Sequence, residues 1–185
     1  KQLIPVLVNI KSINIIHADI KPENILIKQI DDETATVKLS DFGSAMKKNK
    51  NFIGYMVSRY YRAPEIVLEK YGCCDYLIDM WSLSTIIYEL LMGTPLFQEK
   101  NETNLIYSMF KEFGLPDETF LFDCKKRKKL ELQIIDKCDY SLHKKIINIK
   151  DIDMNAYKYL CKSLTWNKEN RLTCDDALNN NYLLN

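Results

Sequence analysis

The sequence predicts a mainly α-helical domain: a helical bundle around a buried central helix, with one small β-hairpin in its amino-terminal part. The central helix is predicted at residues 77–92, where apolar side chains occur around most of the helical circumference, as in helices surrounded by protein. Only residues 25–28 and 35–39 have the composition of strands, which is too little for a sheet domain. Apolar residues elsewhere recur mainly at helical spacing.

The first part of the chain is predicted to form a helix, a hairpin and a long loop, in that order. The helix covers residues 1–16, with Leu3, Leu7 and Ile10 on one face. The hairpin follows, its two strands joined by a polar turn at residues 31–33. Residues 44–62 have neither a helical nor a strand period. A loop of that length inside a compact domain is usually functional.

The second part of the chain is predicted to be helical. The central helix ends at Gly93, and a second helix at residues 101–113 is closed by Gly114. Residues 115–150 are a mixed stretch with weak periodicity. Two further helices are predicted at residues 152–164 and 173–182, the last with Thr173 as its N-cap and Asp176 three residues on.

Composition limits the classes of function. The chain has 185 residues, which is enough for one domain with a hydrophobic core. Its net charge is +1, so no overall electrostatic field attracts nucleic acid or a membrane surface. No apolar run is long enough for a transmembrane helix. Only four of the 26 basic residues are Arg, which makes those four candidates for bidentate recognition of phosphate or carboxylate. They are Arg59, Arg62, Arg127 and Arg171.

One short segment carries the side chains that phosphoryl transfer needs. Asp19, Lys21 and Asn24 lie close together around Pro22, and Asp41 follows the second predicted strand, 17 residues after Asn24. An Asp can accept a proton, a Lys can neutralise a phosphate, and Asn with Asp can hold Mg²⁺, which prefers oxygen ligands. Each of these residues alone would be an ordinary surface side chain; their combined spacing favours a site.

The whole chain resembles the C-terminal lobe of a eukaryotic protein kinase. The resemblance rests on HADIKPEN at residues 17–24, DFG at 41–43, APE at 63–65, DMWS at 79–82 and Arg171. It implies a protein kinase-like α+β fold, of which residues 1–185 are the large lobe, with the hairpin carrying the catalytic and metal-binding loops. It also implies ATP and Mg²⁺ as cofactors and protein substrates that offer Ser or Thr hydroxyls.

The resemblance implies a role for each catalytic residue. Asp19 would accept or orient the proton of the substrate hydroxyl, and Lys21 would neutralise the transferring phosphate, as in kinases specific for Ser and Thr. Ser58 would hydrogen-bond toward both. Asn24 and Asp41 would hold Mg²⁺ against the ATP phosphates.

The resemblance also implies a supporting set around these residues. Leu26 would pack under the adenine ring, and His17 would stack with Phe42. Asp79 would anchor the backbone of the catalytic loop. Glu65 would pair with Arg171.

Ala18 stands where many kinases carry an Arg that binds a phosphothreonine of the activation segment. Activation must therefore use another device or be constitutive. Tyr55 precedes Arg59 by four residues and Arg62 by seven. A phosphate on Tyr55 would bring nearly two negative charges, which these two Arg could bind. A plain loop tyrosine is the alternative.

Within the kinases, SRYYRAPE at residues 58–65 resembles the CMGC group, and with HADIKPEN and DFGSA it resembles most closely the pre-mRNA-splicing kinases related to the dual-specificity tyrosine-regulated kinases. Ile53, where the dual-specificity kinases proper carry a second Tyr or Thr, favours that assignment. It implies a monomeric nuclear enzyme, with a cytoplasmic pool left open, that phosphorylates splicing factors. Arg62 alone does not decide between Arg-Ser-rich and proline-adjacent sites.

Three alternatives stay open. The protein could be a pseudokinase or docking scaffold, although a scaffold has no chemical need for Asp19, Asn24 and Asp41 together. It could be another CMGC member, of the dual-specificity or Clk type. The basic run at residues 125–129 could bind a polyanion or direct nuclear import, but it lacks interleaved aromatic residues, and near-zero net charge disfavours direct nucleic-acid binding. A glycine-rich phosphate loop does not occur in these residues, so we expect the isolated lobe to be inactive.

Overall fold

The computed structural model describes residues 1–32, 34–48, 57–70, 74–122, 124, 142, 145–146 and 153–179. The strands among them are β1 Ile15–Ile16, β2 Ile25–Gln29, β3 Ala35–Leu39 and β4 Met46–Lys47. The α-helices among them are α1 Leu3–Ser12, α2 Pro64–Val67, α3 Leu77–Met92, α4 Glu102–Phe113, α5 Glu118–Phe122, α6 Met154–Ser163 and α7 Cys174–Asn179. Short 3₁₀ helices lie at Pro22–Asn24, Phe42–Ser44, Arg59–Tyr61 and Lys168–Asn170.

Helix α3 is the central helix, with the bounds that the sequence predicts. Every residue from 78 to 86 is buried, so this part of the helix is enclosed on all sides. Its hydroxyl groups stay satisfied inside the core because Ser82, Ser84 and Thr85 donate to backbone carbonyls within one turn. Gly93 ends the helix in the left-handed region at φ 72°, where a side chain would be strained.

The prediction of one helix over residues 1–16 is wrong at its carboxyl end. Helix α1 stops at Ser12, and Asn14 turns the chain with a φ of 60°. Ile15 and Ile16 then pair antiparallel with Lys47 and Met46 as β1 and β4. Ile15 and Ile16, which continue the apolar spacing of the helix in the sequence, therefore belong to a strand. The partner of that strand lies about 30 residues away in the chain.

The predicted hairpin is present, with β2 extending one residue further than expected. Its register pairs Ile25 with Leu39 and Gln29 with Ala35. At its other end, Gln2 from the start of α1 bonds the outer edge of β3, donating to the Ala35 carbonyl and accepting from the Val37 N–H. This contact fixes the hairpin against α1.

The remaining helices begin and end near the predicted positions. Asn101 caps α4 by accepting a hydrogen bond from the Asn104 N–H at 2.8 Å. At α7, the Thr173 hydroxyl and the Asp176 carboxylate bond each other and each other's backbone N–H groups, which confirms the predicted N-cap. Helix α6 is shorter than predicted by two residues at its start and one at its end.

The mixed stretch contains α5, but most of it, including the basic run at residues 125–129, lies outside the described residues. So do the end of the helix predicted at 173–182 and residues 49–56 of the predicted loop. Described parts of that loop form β4 and a 3₁₀ helix. In the part of the chain that the structure describes, no helix has the length and hydrophobicity needed to cross a bilayer.

Candidate active site

Asp19 is the centre of the site, and both of its carboxylate oxygens accept hydrogen bonds. Oδ1 accepts from the Ser58 hydroxyl at 2.8 Å and the Ser58 N–H at 3.2 Å. Oδ2 accepts from Lys21 Nζ at 2.8 Å and from Asn24 Nδ2 at 3.2 Å. Burial by itself raises the pKa of the Asp19 carboxyl, but the donors from Lys21 and Ser58 outweigh it and hold the pKa below its usual range. Asp19 is therefore an anion at neutral pH.

Lys21 lies beside this carboxylate as a cation. Its Nζ atom is 2.8 Å from Asp19 Oδ2 and 3.2 Å from Ser58 Oγ. The hydrogen bond to Asp19 raises the pKa of Lys21, so the ammonium group keeps its charge. With two of its three protons directed at Asp19 and Ser58, the ammonium group retains a third donor. The predicted contact of Ser58 with both residues is present.

The hairpin register brings the two predicted metal ligands together. Because Ile25 pairs with Leu39, Asn24 and Ser40 face each other just beyond that pair. Ser40 donates two hydrogen bonds to the Asn24 carbonyl, from its N–H at 2.9 Å and from its hydroxyl at 3.0 Å. Asp41 follows directly. Residues that are 17 positions apart in the chain are thus joined at one end of one hairpin.

The side chains at this end fit a divalent cation. Asn24 Nδ2 donates to the Asp19 carbonyl at 2.8 Å, so the amide oxygen is the Asn24 atom that can bind a cation. Asp41 has a φ of 61°, and its Oδ1 accepts the Gly43 N–H at 3.1 Å. A Cβ at Gly43 would lie 3.0 Å from that oxygen, so a larger residue there would push the carboxylate a short way from this position. One carboxylate and one amide oxygen form the hard donor set that Mg²⁺ accepts.

Asp79 holds the backbone in front of Asp19. Its carboxylate accepts the His17 N–H at 2.8 Å and the Ala18 N–H at 2.9 Å. Ala18 has a φ of 61°, an unfavourable conformation for alanine that these bonds help to maintain. Burial raises the pKa of Asp79 to about 7, although the two N–H donors favour the anion. The predicted anchor is present.

His17 connects the loop of Asp19 with the loop of Asp41. Nε2 lies 3.0 Å from the Ser40 carbonyl oxygen, which can only accept, so Nε2 carries the proton. Nδ1 then accepts the Asp19 N–H at 3.3 Å. Burial lowers the pKa of His17, which keeps the ring neutral in this arrangement. The ring packs edge-on against Phe42 at 4.7 Å between centroids, as the sequence predicts.

An apolar face lies beside the predicted metal ligands. Leu26 on β2 is 55% exposed and Phe42 is 46% exposed, both high for large apolar side chains. A flat, apolar group such as a purine ring could cover Leu26 there, as the resemblance implies.

The predicted pair of Glu65 and Arg171 is fully buried. The guanidinium binds the carboxylate with two hydrogen bonds, of 2.7 and 3.0 Å, and also donates to the carbonyls of Leu77 and Thr165. It lies 5.0 Å from the Trp81 ring centroid. This pair ties the end of the segment 57–65 to the carboxyl-terminal part of the chain.

The two Arg of the predicted phosphotyrosine clamp have partners in the structure, while Tyr55 lies outside the described residues. Arg59 donates from Nη1 to the Lys100 carbonyl at 2.7 Å, and its buried Nε has no hydrogen-bond partner among the described residues. Arg62 is buried and donates from Nε and Nη2 to the Val57 carbonyl, at 3.0 and 2.8 Å. Its Nη1 donates to Glu102 Oε1 at 2.6 Å.

Sequence reasoning did not find two features of this segment. Val57 has a φ of 65°, which is rare for a β-branched residue, and its carbonyl is the one that Arg62 covers. Glu102 pairs with Arg62 from the first turn of α4. Neither feature has a signal in the local sequence. Glu102 in particular does not stand out, because acidic residues are common in the first turn of any helix.

The fold and this constellation define a protein kinase. The family model described as "Protein kinase domain" matches residues 1–183, so the chain belongs to the protein kinase family. Among solved structures, a chain of the yeast RNA Pol II CTD kinase CTDK-1 complex matches with a TM-score of 0.87 and 26% identity, over 99% of this chain and 60% of that one.

Within that family the chain belongs to the CMGC group. It is 34% identical over 182 residues to dual specificity tyrosine-phosphorylation-regulated kinase 2 of Drosophila melanogaster, covering 92% of this chain and 24% of that protein. It is 41% identical over 127 residues to homeodomain-interacting protein kinase 1 of Caenorhabditis elegans, covering 68% and 15%. Mitogen-activated protein kinase mpkC of Aspergillus fumigatus is 33% identical over 178 residues, covering 94% and 45%. The chain spans less than half the length of each of these relatives.

Proposed function

We propose that this chain is the catalytic lobe of a serine/threonine kinase that transfers the γ-phosphoryl group of ATP to protein hydroxyls. The observation that carries the proposal is the arrangement of Lys21 and Ser58 around the Asp19 carboxylate. Asn24 and Asp41 would hold a Mg²⁺ ion, which would neutralise charge on the phosphoryl group that ATP would supply.

The residues of the chain act on the substrate hydroxyl and on the transferred group. Asp19 orients the hydroxyl and accepts its proton as the new oxygen–phosphorus bond forms and the bond from the γ-phosphorus to the leaving ADP oxygen breaks. Lys21 directs a positive charge at the phosphoryl oxygens, where charge shifts during transfer. Ser58 holds Asp19 and Lys21 at fixed positions relative to the segment 57–65, beside which the substrate would bind.

The test is phosphoryl transfer by the full-length protein to a serine peptide and to its tyrosine counterpart, with radiolabelled Mg-ATP. We expect transfer to serine and a loss of about 10²–10⁴-fold in Asp19→Asn, with Mg-ATP binding retained. A wild type that binds Mg-ATP but transfers nothing would instead support the pseudokinase alternative. Transfer to tyrosine alone would refute the serine/threonine assignment.

The contacts of Val57 favour sites in which proline follows the phosphorylated residue. Val57 precedes Ser58, which contacts Asp19, and we therefore place the substrate residue just past the hydroxyl near the Val57 carbonyl. The oxygen of that carbonyl already accepts two hydrogen bonds from Arg62, one for each of its lone pairs. A substrate N–H would therefore lose its hydrogen bonds to water without finding an acceptor, whereas proline has no N–H to satisfy.

Two carboxylates favour basic residues near the same site. Glu89 accepts a hydrogen bond from the Tyr61 hydroxyl at 2.9 Å. Burial, this hydrogen bond and the negative charges of Glu89 and Glu23 raise the pKa of Tyr61, which is the effect of a negative potential around it. Their negative potential suits the Arg of Arg-Ser-rich sequences. We therefore propose Ser and Thr sites in a basic, proline-adjacent context.

We also propose a role in pre-mRNA splicing, carried out by a monomeric nuclear enzyme. The support is the resemblance of residues 17–24, 41–45 and 58–65 to the splicing kinases, with Ile53 at the position that separates them from the dual-specificity kinases proper. The test is imaging of the tagged full-length protein together with a screen of splicing factors as substrates. Exclusion from the nucleus would refute this part.

We propose phosphorylation of Tyr55 as the activating device in place of the Arg that Ala18 replaces. Arg59 supports this, since its buried Nε has no hydrogen-bond partner within the described part of the chain and could bind a phosphate. A full-length Tyr55→Phe variant should lose most of its activity, and mass spectrometry should find phosphate on Tyr55 of the wild type. Undiminished turnover of the variant would reject this device.

The isolated 185-residue chain is proposed to be inactive and to bind ATP weakly. A kinase needs a glycine-rich loop over the phosphates and a Lys that anchors them, and no G-x-G-x-x-G motif occurs in these residues. Calorimetry with Mg-ATP and a turnover assay on the purified chain test this. Robust turnover would overturn it.

A further inference from the structure

A second cavity, of about 250 Å³, lies between the carboxyl-terminal ends of α4 and α6. None of the residues that line it belongs to the phosphoryl-transfer site described above. Three of them, Glu112, Leu142 and Leu164, are buried, whereas Phe113 and Trp166 are partly exposed. The cavity therefore reaches from the surface into the protein, and its lining is apolar except for a few polar groups.

Glu112 places a negative charge at this cavity. Its side chain is only 7% exposed, so its carboxylate has little contact with water and needs a cation as partner. Glu112 is also the next-to-last residue of α4, where the carbonyl groups of the final turn give the helix end a partial negative charge. The side chain and the helix end therefore favour a cation at the same place.

Lys145 supplies a cation to Glu112, but it does so from the surface. Its Nζ atom donates to Glu112 Oε1. The Lys145 side chain is 44% exposed, and Lys145 is not among the described residues that line the cavity. Its ammonium group therefore balances the charge of Glu112, while its flexible stem makes little use of the apolar walls.

Two aromatic rings in the lining suit a cation that carries an apolar group. Trp166 and Phe113 pack edge-on, with 6.1 Å between ring centroids. The indole N–H of Trp166 donates to the Gly114 carbonyl at 3.1 Å, which fixes the orientation of that ring. Aromatic rings attract cations through their faces and also cover apolar groups.

We propose that this cavity is a binding site for a small organic cation, in which a primary ammonium group replaces that of Lys145 on Glu112 and an attached apolar group fills the space beside Trp166. Such a ligand keeps the ion pair and buries apolar surface that the Lys145 stem leaves uncovered. The cavity is smaller than the range of about 300–1,000 Å³ typical of drug-sized ligands, so the apolar group is of the size of one ring. This site goes beyond the proposed kinase function and does not depend on it.

The test uses phenethylamine, which is an ammonium ion at neutral pH, and phenethyl alcohol, its neutral counterpart of the same size. Binding is followed by fluorine NMR of the full-length protein labelled with fluorotryptophan, where the resonance that is missing from Trp166→Phe identifies Trp166. Wild type should bind the amine with a dissociation constant on the order of 1 mM, as expected for about nine non-hydrogen atoms. The alcohol should bind at least about tenfold more weakly, because it lacks a charged hydrogen bond to Glu112.

Three variants assign this binding to the cavity. Glu112→Gln keeps the size of the side chain and should bind the amine no better than the alcohol. Lys145→Met removes the competing ammonium group and should bind the amine at least about threefold more tightly than wild type, because Glu112 then lacks its partner. Glu169→Gln is the matched control, since Glu169 is an exposed carboxylate three residues from Trp166 that does not line the cavity, and it should keep the wild-type affinity.

Several results would overturn the inference. Equal affinities of wild type for the amine and the alcohol would show that the cavity is merely apolar, and an unshifted Trp166 resonance with both ligands would show that it binds neither. Unchanged amine binding in Glu112→Gln would remove Glu112 from the site. Weaker amine binding in Lys145→Met would mean that Lys145 builds the cavity instead of competing for it. If Glu112→Gln does not fold, the preference of Lys145→Met for the amine over the alcohol carries the test, and it must exceed that of wild type.

Discussion

Replacing Asp79 with asparagine should change how the stability of the protein depends on pH. Burial raises the pKa of Asp79 to about 7 from its ordinary 3.8. Between these values the folded protein holds a proton on Asp79 that the unfolded chain has released, so the free energy of unfolding falls as pH rises. The asparagine of the variant would not titrate, and its altered hydrogen bonds to the His17 and Ala18 N–H groups cost the same at every pH.

The size of the effect follows from proton linkage. One group that stays protonated only in the folded state changes the free energy of unfolding by about 1.4 kcal/mol per pH unit. Across the interval from about pH 4 to about pH 7 the total is about 4 kcal/mol. The Asp79 contribution is fully present below about pH 4 and is lost as the pH rises through about 7.

Urea unfolding of the 185-residue chain and its Asp79→Asn variant at about pH 5 and about pH 7 measures this directly. Other titrating groups, His17 and Asp19 among them, are common to both proteins and cancel in the difference. The wild type should lose about 2–3 kcal/mol relative to the variant between the two pH values. A difference that stays constant within about 0.5 kcal/mol would refute the reasoning, since it would mean that the two N–H donors keep Asp79 ionised throughout.

Three further predictions concern the buried ion pair, the metal and the base. Arg171→Met should lower the free energy of unfolding by about 3–5 kcal/mol because Glu65 remains buried without its partner, and adding Glu65→Leu should restore part of the loss; equal urea midpoints for both variants would contradict this. Asp41→Asn in the full-length protein should raise the Mg²⁺ concentration for half-maximal activity at least about tenfold with little change in melting temperature, whereas an unchanged Mg²⁺ dependence would remove Asp41 from the metal site. The lowered pKa of Asp19 means that its carboxylate stays ionised from about pH 5 upward, so kcat/KM should fall only at a more acidic pH, where Asp19 is protonated. A fall in kcat/KM near pH 6 would contradict this if it persists in the His17→Asn variant, which lacks the imidazole that could otherwise cause it.

Much of the fold could be predicted because its signals are local. Helix α3 combines apolar residues around most of its circumference with a glycine stop, and the Thr173 cap needs only one partner three residues away. The end of α1 could not be predicted in this way. Ile15 and Ile16 continue the helical period of α1, and only their pairing with residues 46 and 47 makes them a strand. Pairings of such sequence separation leave no trace in a local pattern.

The site likewise contains residues that the sequence indicates and contacts that only the folded structure shows. Asp19, Lys21, Asn24 and Asp41 could be selected as candidates because their chemistry and spacing follow a known kinase pattern, and the hairpin register brings the loops of Asn24 and Asp41 together. The contact between Arg62 and Glu102 joins two segments 40 residues apart, and although the sequence marks Arg62 as unusual, nothing in it indicates Glu102 as the partner. Only the folded structure shows that they meet.

His17 makes the two loops of the site cooperate. Its ring is rigid, and each nitrogen serves a different loop: Nε2 bonds the Ser40 carbonyl beside Asp41, and Nδ1 bonds the amide of Asp19. A shift of the Ser40 carbonyl would remove the acceptor of Nε2 and alter the support that Nδ1 gives to the Asp19 amide. The positions of the Asp19 and Asp41 loops are therefore coupled through a single imidazole.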